Sequence, residues 1–336
     1  MRKIKIAQIG INTHSHSNEI FGSICKQSDI FEVVGFVLPE NERKRIPHKL
    51  IALEKYKELS LDEVLNDPEI EAVTIETDEI YLTKYALLAA KAGKHIHMEK
   101  PGGVILADFE ELISIIKNTG KVFHTGYMYR YNPFIQELMH KIECGELGKI
   151  ISIEAQMSCS HPISTRQWLE NLPAGMMFYL GCHLLDLIFR IQGKPKRIIP
   201  LNKSSGIDGV NSTDFGMVIF EYENGVSFAK TTAVELGGFA RRQLVVNGTK
   251  ATVELNPLEW LLPDHSGLQT HKTVRTSTDW HTEYKKEISI SFDRYDDMMK
   301  SFAKYIRGEK KNPYTPDYEL ELYKTILTAC GEGKVL

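Results

Sequence analysis

Short apolar runs alternate with stretches of helical spacing through the first third of the chain. Ile4–Ile9, Phe31–Val37 and Ala72–Ile75 are strand-like runs. Tyr81, Tyr85 and Leu88 stand at i, i+4 and i+7, and Gly93 follows where a glycine would close the helix. Phe109, Leu112, Ile113 and Ile116 repeat that stripe ahead of Gly120. This alternation predicts βαβ units and a doubly wound, mostly parallel sheet. Near residue 122 the pattern changes. Asn132-Pro133 reads as a cap and first turn, with Phe134, Leu138 and Ile142 on one helical face. Beyond residue 213 the pattern is antiparallel β. Phe215–Tyr222 and Val226–Thr232 flank Glu223-Asn224-Gly225, and Gln243–Val246 and Thr249–Leu255 flank Asn247-Gly248. Asn-Gly is the strongest short-range hairpin cue because both residues tolerate positive φ. Tyr295–Cys330 reads as two helices around a loop containing Gly and Pro. The expectation is an α/β domain over 1–122, then an α+β domain over 123–336 with a large open, mainly antiparallel sheet.

Composition narrows the function. The 336 residues, 42% hydrophobic and 25% charged, suit one large domain or two ordinary ones. The 41 Lys and Arg nearly balance 44 Asp and Glu, so no global basic field favours nucleic acid or an acidic membrane. The richest apolar run, Met176–Ile191, is broken by His183, Asp186 and Arg190 and falls short of a membrane span. The opening MRKIKIAQIG lacks the apolar core of a signal peptide. Cys25, Cys144, Cys159, Cys182 and Cys330 are scattered without CxxC spacing, which predicts reduced thiols. A soluble cytoplasmic protein is expected. His14-x-His16 and His95-x-His97 lack a third ligand at metal-site spacing, so no metal is expected.

The first strand runs into Gly10-Ile11-Asn12-Thr13-His14-Ser15. A glycine-rich turn at this place lets backbone N–H groups and a helix N-terminus approach a pyrophosphate. Here Asn12 and Ser15 hold the second and third glycine positions. Asn tolerates the left-handed conformation and Ser is small, so the turn suits a dinucleotide; it equally suits an ordinary tight β–α turn. After the second strand come Glu40 and then Arg43, Lys44 and Arg45. Glu40 could meet ribose hydroxyls, the basic trio could meet a 2′-phosphate, or these charges form a solvated helix start. The choice between NAD and NADP stays open.

Three later segments carry chemistry: Ala92-Gly93-Lys94-His95-Ile96-His97-Met98-Glu99-Lys100-Pro101, Gly126-Tyr127-Met128-Tyr129-Arg130-Tyr131-Asn132-Pro133 and Gly181-Cys182-His183-Leu184-Leu185-Asp186. With the Asn224-Gly225 and Asn247-Gly248-Thr249-Lys250 turns, the chain resembles the Gfo/Idh/MocA oxidoreductases nearly end to end. The resemblance implies a Rossmann-type first domain, a nicotinamide cofactor and a polyhydroxylated small-molecule substrate such as a sugar or cyclitol. It also implies a homodimer or homotetramer through the second domain's sheet. Cofactor contacts are then expected from Gly10, Asn12, Thr13, Ser15, Glu40, Thr77, Glu99 and Lys100. Substrate contacts are expected from Lys100, Tyr127, Arg130, Trp168, His183 and Asp186, and catalysis from Lys100 and His183 with Tyr179 auxiliary.

The residues read by themselves agree. Glu99-Lys100-Pro101 closes a parallel strand, the edge where α/β sheets bind ligands. A lysine there can donate to a substrate hydroxyl and stabilise developing oxyanion charge. Tyr179, His183, Asp186 and Arg190, at i, i+4, i+7 and i+11, make one polar stripe on an otherwise apolar helix. Such a stripe needs partners or a wet cleft. His183, with an ordinary pKa near neutrality, suits a general base, or else a structural His–Asp hydrogen bond.

The chain departs from the family at two places. Tyr179 stands where an Asp usually precedes the histidine by four residues; a phenol, with a pKa of about 10, can donate a hydrogen bond, or serve as acid/base if Lys100 lowers that pKa. Thr77-Asp78-Glu79-Ile80-Tyr81-Leu82 replaces a Thr-Pro-Asn-x-x-His-like turn, and its carboxylates, with Glu76, would repel a phosphate unless they point away. Three functions are therefore weighed: an NAD(P)-dependent oxidoreductase, a redox-neutral lyase or glycosidase that recycles its cofactor, and a cofactor-free sugar-binding or regulatory module. Trp168, Arg166 and Arg241–Arg242 are candidates for sugar stacking or acid-group recognition, against a core Trp and exposed Arg. Phe228 and Ala229 point to opposite faces of one strand, which favours association through the outer face.

Overall fold

The computed structural model describes residues 2–331. They form two compact units. The first holds the described residues through Tyr127 together with Tyr295–Tyr323; the second holds Met128–Arg294 and the described residues from Lys324 onward.

The first unit is built on five parallel strands: β1 (Ile4–Ile9), β2 (Phe31–Val37), β3 (Ala72–Ile75), β4 (His95–Met98) and β5 (Phe123–Thr125). Their order is β2-β1-β3-β4-β5. The division expected at residue 122 therefore falls later, because β5 pairs with β4 through Ile96↔Phe123, His97↔His124 and Met98↔Thr125. All of β3 is buried, as is nearly all of β1, which explains their unbroken apolar runs. The connecting helices are α1 (Ser17–Lys26), α2 (Glu42–Arg45), α3 (Leu61–Asn66), α4 (Leu82–Lys91) and α5 (Leu106–Thr119). The α5 stripe is buried as expected, at Phe109, Leu112, Ile113 and Ile116, and Gly120 closes the helix in the left-handed conformation. In α4 Tyr85 is buried as expected, but the rest of the buried side differs. Leu82, Ala86, Ala89 and Ala90 face inward while Leu88 is exposed, because alanines allow the close approach that larger residues would block. Chain order reverses between β1 and β3, and at such a switch point an α/β sheet opens a crevice at its carboxyl edge.

The second unit begins with α6 (Pro133–Glu143), capped as expected by Asn132, whose Oδ1 accepts from the N–H groups of Phe134 and Ile135. Next come β6 (Ile150–Gln156), α7 (Ile163–Trp168), a π-helical turn at Met177–Gly181, α8 (Cys182–Gln192) and β7 (Arg197–Pro200). The strands β8 (Phe215–Tyr222), β9 (Gly225–Thr232), β10 (Gln243–Gly248) and β11 (Thr252–Leu255) follow. A short ribbon, β12 (Trp260–Leu261) and β13 (Leu268–Gln269), precedes β14 (His271–Arg275) and β15 (Lys286–Ile288). Eight of these strands form one sheet, ordered β15-β14-β11-β10-β6-β9-β8-β7, antiparallel except between β6 and β9. Its inner face buries Ile153, Val218, Phe220, Ala229, Leu244, Val246, Val253 and Leu255 at alternate positions. The tail helices are α9 (Asp296–Ile306) and α10 (Pro316–Ala329).

Both hairpins form, but not through the backbone property expected of Asn-Gly. Asn224, Gly225, Asn247 and Gly248 all have negative or extended φ. Tyr222 pairs with Gly225, so Glu223-Asn224 is the loop. Asn247 pairs with Thr252, and Gly248 N–H donates to the Ala251 carbonyl, so the second turn lies one step later. The glycines serve close approach instead: a Cβ at Gly225 would meet the Ile151 carbonyl oxygen at 1.8 Å, and one at Gly248 would meet the Leu147 oxygen at 2.2 Å. All five cysteines are free thiols. Among the described residues, no helix is long and apolar enough to cross a membrane.

The Gly225 contact is with backbone, which cannot rotate away. Gly225→Ala is therefore expected to destabilise the protein by about 1–3 kcal/mol, the cost of an overpacked site. Urea unfolding followed by circular dichroism would show a lower midpoint; an unchanged midpoint would contradict the packing described.

Candidate functional site

In the first unit, the switch point brings the ends of β1, β2, β3 and β4 to one edge. Gly10 has φ +89°, and its Cα lies so close to Thr77 that a Cβ would stand 2.4 Å from the Thr77 methyl carbon. Gly10 N–H donates to Val37 O and Glu76 N–H to Ile9 O, locking the three strand ends together. Beyond Gly10 the backbone amides are largely spoken for. Ile11 N–H donates to Glu42 Oε2 at 3.0 Å, and Asn12 N–H to Ser17 Oγ at 3.2 Å. The Asn12 side chain donates to Glu79 Oε2 at 2.8 Å and to Thr77 O, and its Oδ1 accepts from His14 N–H. Asn12 thus keeps the turn together with its side chain where a glycine would do so by backbone freedom. Ser15 is buried, and its hydroxyl has no hydrogen-bond partner among the described residues.

The acid that reaches this turn is Glu42, in the first turn of α2. Glu40, the residue expected there, has φ +56° and is held by the Lys84 ammonium at 2.5 Å and the Tyr85 hydroxyl at 2.7 Å. Those donors lower its carboxyl below the usual range. The basic residues that follow are also engaged: Arg43 pairs with Glu58, and Arg45 bonds Asp78 at 2.9 Å and the Glu40 carbonyl.

Glu76 and Glu79 do not point away from the turn; both are fully buried. Burial pushes the Glu42 carboxyl up to about 8 and the Glu79 carboxyl up to about 7. Burial, with Glu99 nearby, raises Glu76 well above its ordinary value. Neutral carboxyls remove much of the repulsion that the sequence led one to expect. Behind Glu76, His97 Nε2 stands 3.8 Å from Glu76 Oε1, and His97 Nδ1 meets His124 Nδ1 at 2.8 Å. Burial pushes His97 down to about 3, so its ring is neutral. The His95-x-His97 spacing is thereby accounted for, with His95 Nδ1 accepting from Val122 N–H.

At the end of β4, Glu99 and Lys100 are buried together, Nζ to Oε1 at 3.5 Å. Burial raises the Glu99 carboxyl and the Lys100 ammonium opposes that rise. Gly126 packs against them, its Cβ position 3.0 Å from Glu99 Oε2, and Tyr127 next to it is buried. Of the expected cofactor residues, Gly10, Asn12, Ser15, Thr77, Glu99 and Lys100 therefore gather at one edge, Thr13 lies exposed on the turn, and Glu40 is committed elsewhere.

In the second unit, Arg130 grips Asp186 in a buried bidentate pair, Nε to Oδ1 and Oδ2 at 3.1 and 3.0 Å and a terminal nitrogen to Oδ1 at 2.7 Å. This joins the Met128–Tyr131 turn to α8. His183 lies in the first turn of α8, buried, with the Tyr129 ring edge-on at 5.6 Å. Tyr129 donates to Glu259 Oε2 at 3.0 Å, and Glu259 is clasped by Arg242 and Arg294, which push its carboxyl down to about 2 against the cost of burial. Tyr179 sits in the π-helical turn, so an even 3.6-residue stripe does not continue through it into α8. Its ring packs edge-on against Trp168 at 5.2 Å and beside His161 at 5.9 Å. Single π turns inside helices often mark functional sites. Arg190, the far end of the expected stripe, pairs with Glu143. Arg166 and Arg242, whose bland alternative was exposure, are both buried; Arg166 is bound to the Ile207 carbonyl and Asp208. The sequence offered no sign of Glu42, Glu259 or Arg294, and Tyr129 was visible only as part of the Gly126–Pro133 segment. They are linked to the site only by long-range contacts.

Both units match known families and folds. Residues 4–127 match the model of the "oxidoreductase family, NAD-binding Rossmann fold", and residues 135–254 match the GFO/IDH/MocA C-terminal domain. The chain is 32% identical over 139 residues to the uncharacterized oxidoreductase YhhX of Escherichia coli, a match covering 41% of this chain and 40% of that protein. It is 25% identical over 283 residues to the trans-1,2-dihydrobenzene-1,2-diol dehydrogenase of Bos taurus, covering 80% and 78%. Its fold is similar to that of the aldose-aldose oxidoreductase from Caulobacter crescentus, solved with glycerol, at a TM-score of 0.79, 16% identity and coverage of 100% and 99%.

Glu42 and Glu79 each bind their proton more tightly folded than unfolded. Their burial therefore favours the fold below about pH 4.5, and the advantage disappears as pH rises through about 7 for Glu79 and 8 for Glu42. Between these limits each should lower stability by about 1.4 kcal/mol per pH unit. Glu42→Gln is expected to flatten this decline between pH 5 and 8 in urea unfolding. An identical pH dependence in wild type and variant would show that Glu42 is ionised in the fold.

Proposed function

Because the chain belongs to the Gfo/Idh/MocA oxidoreductase family, we propose that it is an NAD(P)-dependent oxidoreductase acting on a hydroxyl or carbonyl of a sugar, cyclitol or related polyhydroxylated compound. The observation that carries this reading is the buried Glu99–Lys100 pair at the carboxyl end of β4, on the edge where the switch point opens. The residues of that edge fit a dinucleotide: Gly10 gives the tight turn, Ser15 brings a small hydroxyl without a partner among the described residues, and burial reduces the negative charge of Glu42, Glu76 and Glu79 near neutral pH. Gly10, Asn12, Thr13, Ser15, Thr77, Glu99 and Lys100 would hold it. When bound, a nicotinamide supplies the hydride acceptor or donor.

The chain's own residues supply the proton chemistry. His183 takes the hydroxyl proton as the alcohol is oxidised and returns it in the reverse direction. Lys100 donates to the reacting oxygen and stabilises the charge that grows there. Arg130 and Asp186 orient α8 and so His183, while Tyr179, set among Trp168 and His161, offers a hydroxyl and an aromatic wall to a sugar. The dihydrodiol and aldose chemistry named for the two relatives supports a vicinal hydroxyl pattern in the substrate. Free thiols agree with residence in the cytoplasm. A homodimer or homotetramer would cover the outer face of the large sheet, where Met217, Ile219, Phe228 and Val245 are half-buried.

One observation favours a second reading, the cofactor-free sugar-binding module. The amides of Ile11 and Asn12, which a phosphate would seek, are taken by Glu42 and Ser17. Titration with NAD⁺, NADH, NADP⁺ and NADPH, followed by a polyol and aldose screen for reduced cofactor, separates the readings. Binding with turnover supports the oxidoreductase, binding without net reduction supports the redox-neutral enzyme, and no binding at millimolar concentration supports the module.

On the oxidoreductase reading, His183→Asn is expected to lower kcat by about 10²–10⁴-fold, the usual worth of a general base. Dinucleotide affinity should be unchanged, since the proposed cofactor contacts are all in the first unit. Retained turnover would remove His183 from its role.

A further inference from the structure

With two amides of the first turn already satisfied, a pyrophosphate there needs another anchor. The chain has one in place. Lys49, on the short helical segment Pro47–Ala52, reaches back to the turn and donates from Nζ to the Ser15 carbonyl at 2.8 Å. Asn18 Nδ2, in the first turn of α1, donates to the Lys49 carbonyl at 3.0 Å and fixes the segment against the helix start. The ammonium is thus held beside the N-terminus of a ten-residue helix. That N-terminus has a capping residue, His16, that makes no side-chain cap bond. Ser15 Oγ, buried and without a partner, lies in the same turn, and the N–H groups of Thr13 and Ser15 take part in none of the hydrogen bonds of the described residues. Burial lowers the pKa of Lys49, while the carboxyls of Glu19, Glu76 and Glu79 raise it. An ammonium partly out of water, among carboxyls that do not bond it directly, is a cation held for an anion to come.

We propose that Lys49 is the cation that binds the pyrophosphate of the dinucleotide, together with the Ser15 hydroxyl, in place of the amides that Glu42 and Ser17 occupy. This rests on the reading of the chain as a dinucleotide-dependent enzyme. It adds a residue outside every motif of the chain, twelve positions beyond the end of β2.

The test uses the full chain and a binding readout. NADH and NADPH are titrated by nucleotide fluorescence, and adenosine, which lacks phosphate, by calorimetry, against wild type, Lys49→Met and Lys49→Arg. Loss of a charge-assisted bond predicts about 10–100-fold weaker dinucleotide binding for Lys49→Met. Lys49→Arg should stay within about threefold of wild type, and the salt dependence of binding should be shallower in the Met variant, as for any lost phosphate contact. Adenosine affinity should be the same in all three. Equal dinucleotide affinity in wild type and Lys49→Met overturns the proposal while leaving the oxidoreductase reading intact. Equal loss of adenosine and dinucleotide affinity also overturns it, since that marks a merely structural lysine. If wild type binds no dinucleotide, both the proposal and the reading beneath it fall. Should Lys49→Met not fold, Lys49→Gln serves the same comparison.

Discussion

Four carboxyl groups are buried at the carboxyl edge of the parallel sheet, and the local architecture follows from how their cost is met. An isolated ionised carboxylate out of water is far too costly to keep, so such a group finds a partner or keeps its proton. Glu99 has Lys100; Glu79 has the Asn12 amide; Glu42 has the Ile11 N–H; Glu76 stands near the neutral His97 ring. The Glu79, Glu42 and Glu76 contacts also tie segments distant in the chain together, while Lys100 neighbours Glu99 at the end of one strand. The turn in which Asn12 and Ser15 stand at two glycine positions is therefore held by side chains, Asn12 bonding where a glycine would only have allowed close approach.

The second unit meets the same problem with the opposite solution. There arginines match the buried acids: Asp186 pairs with Arg130, and Glu259 with Arg242 and Arg294. Removing one partner of such a pair leaves a bare buried charge, which costs more than the pair itself contributes. His183 is framed by these two clusters, through α8 on one side and the Tyr129 ring on the other. Its position is accordingly set by fixed charges in a protein interior, and little by solvent.

The strands and the chemistry-bearing motifs were legible because they repeat at short range. β1, β2 and β3 begin and end where their apolar runs do, and the α5 stripe and the Asn132 cap are local patterns with local causes. The illegible parts depend on distant residues. Gly225 and Gly248 looked like positive-φ turn formers, yet their reason lies in the carbonyls of Ile151 and Leu147. Glu42 sits in a four-residue helix with no periodicity to read, and Glu40, two residues earlier, looked the better placed. The inward side of α4 followed the alanines, since the nearness of the sheet outweighed side-chain size. The π turn at Met177–Gly181 displaced Tyr179 from a stripe that ideal helical geometry would have continued.

The return of Tyr295–Tyr323 to the first unit has a consequence in time. Ser23 bonds Asp296, Phe302 stacks on His124, and Tyr323 stacks on Phe109. A ribosome finishes the five parallel strands and must then make another 167 residues, Met128–Arg294, before it supplies α9. During that interval α1 lacks its bond to Asp296, and Phe109 of α5 lacks the Tyr323 ring. The nascent chain thus carries an incomplete first unit until Tyr295–Tyr323 emerges to seal it.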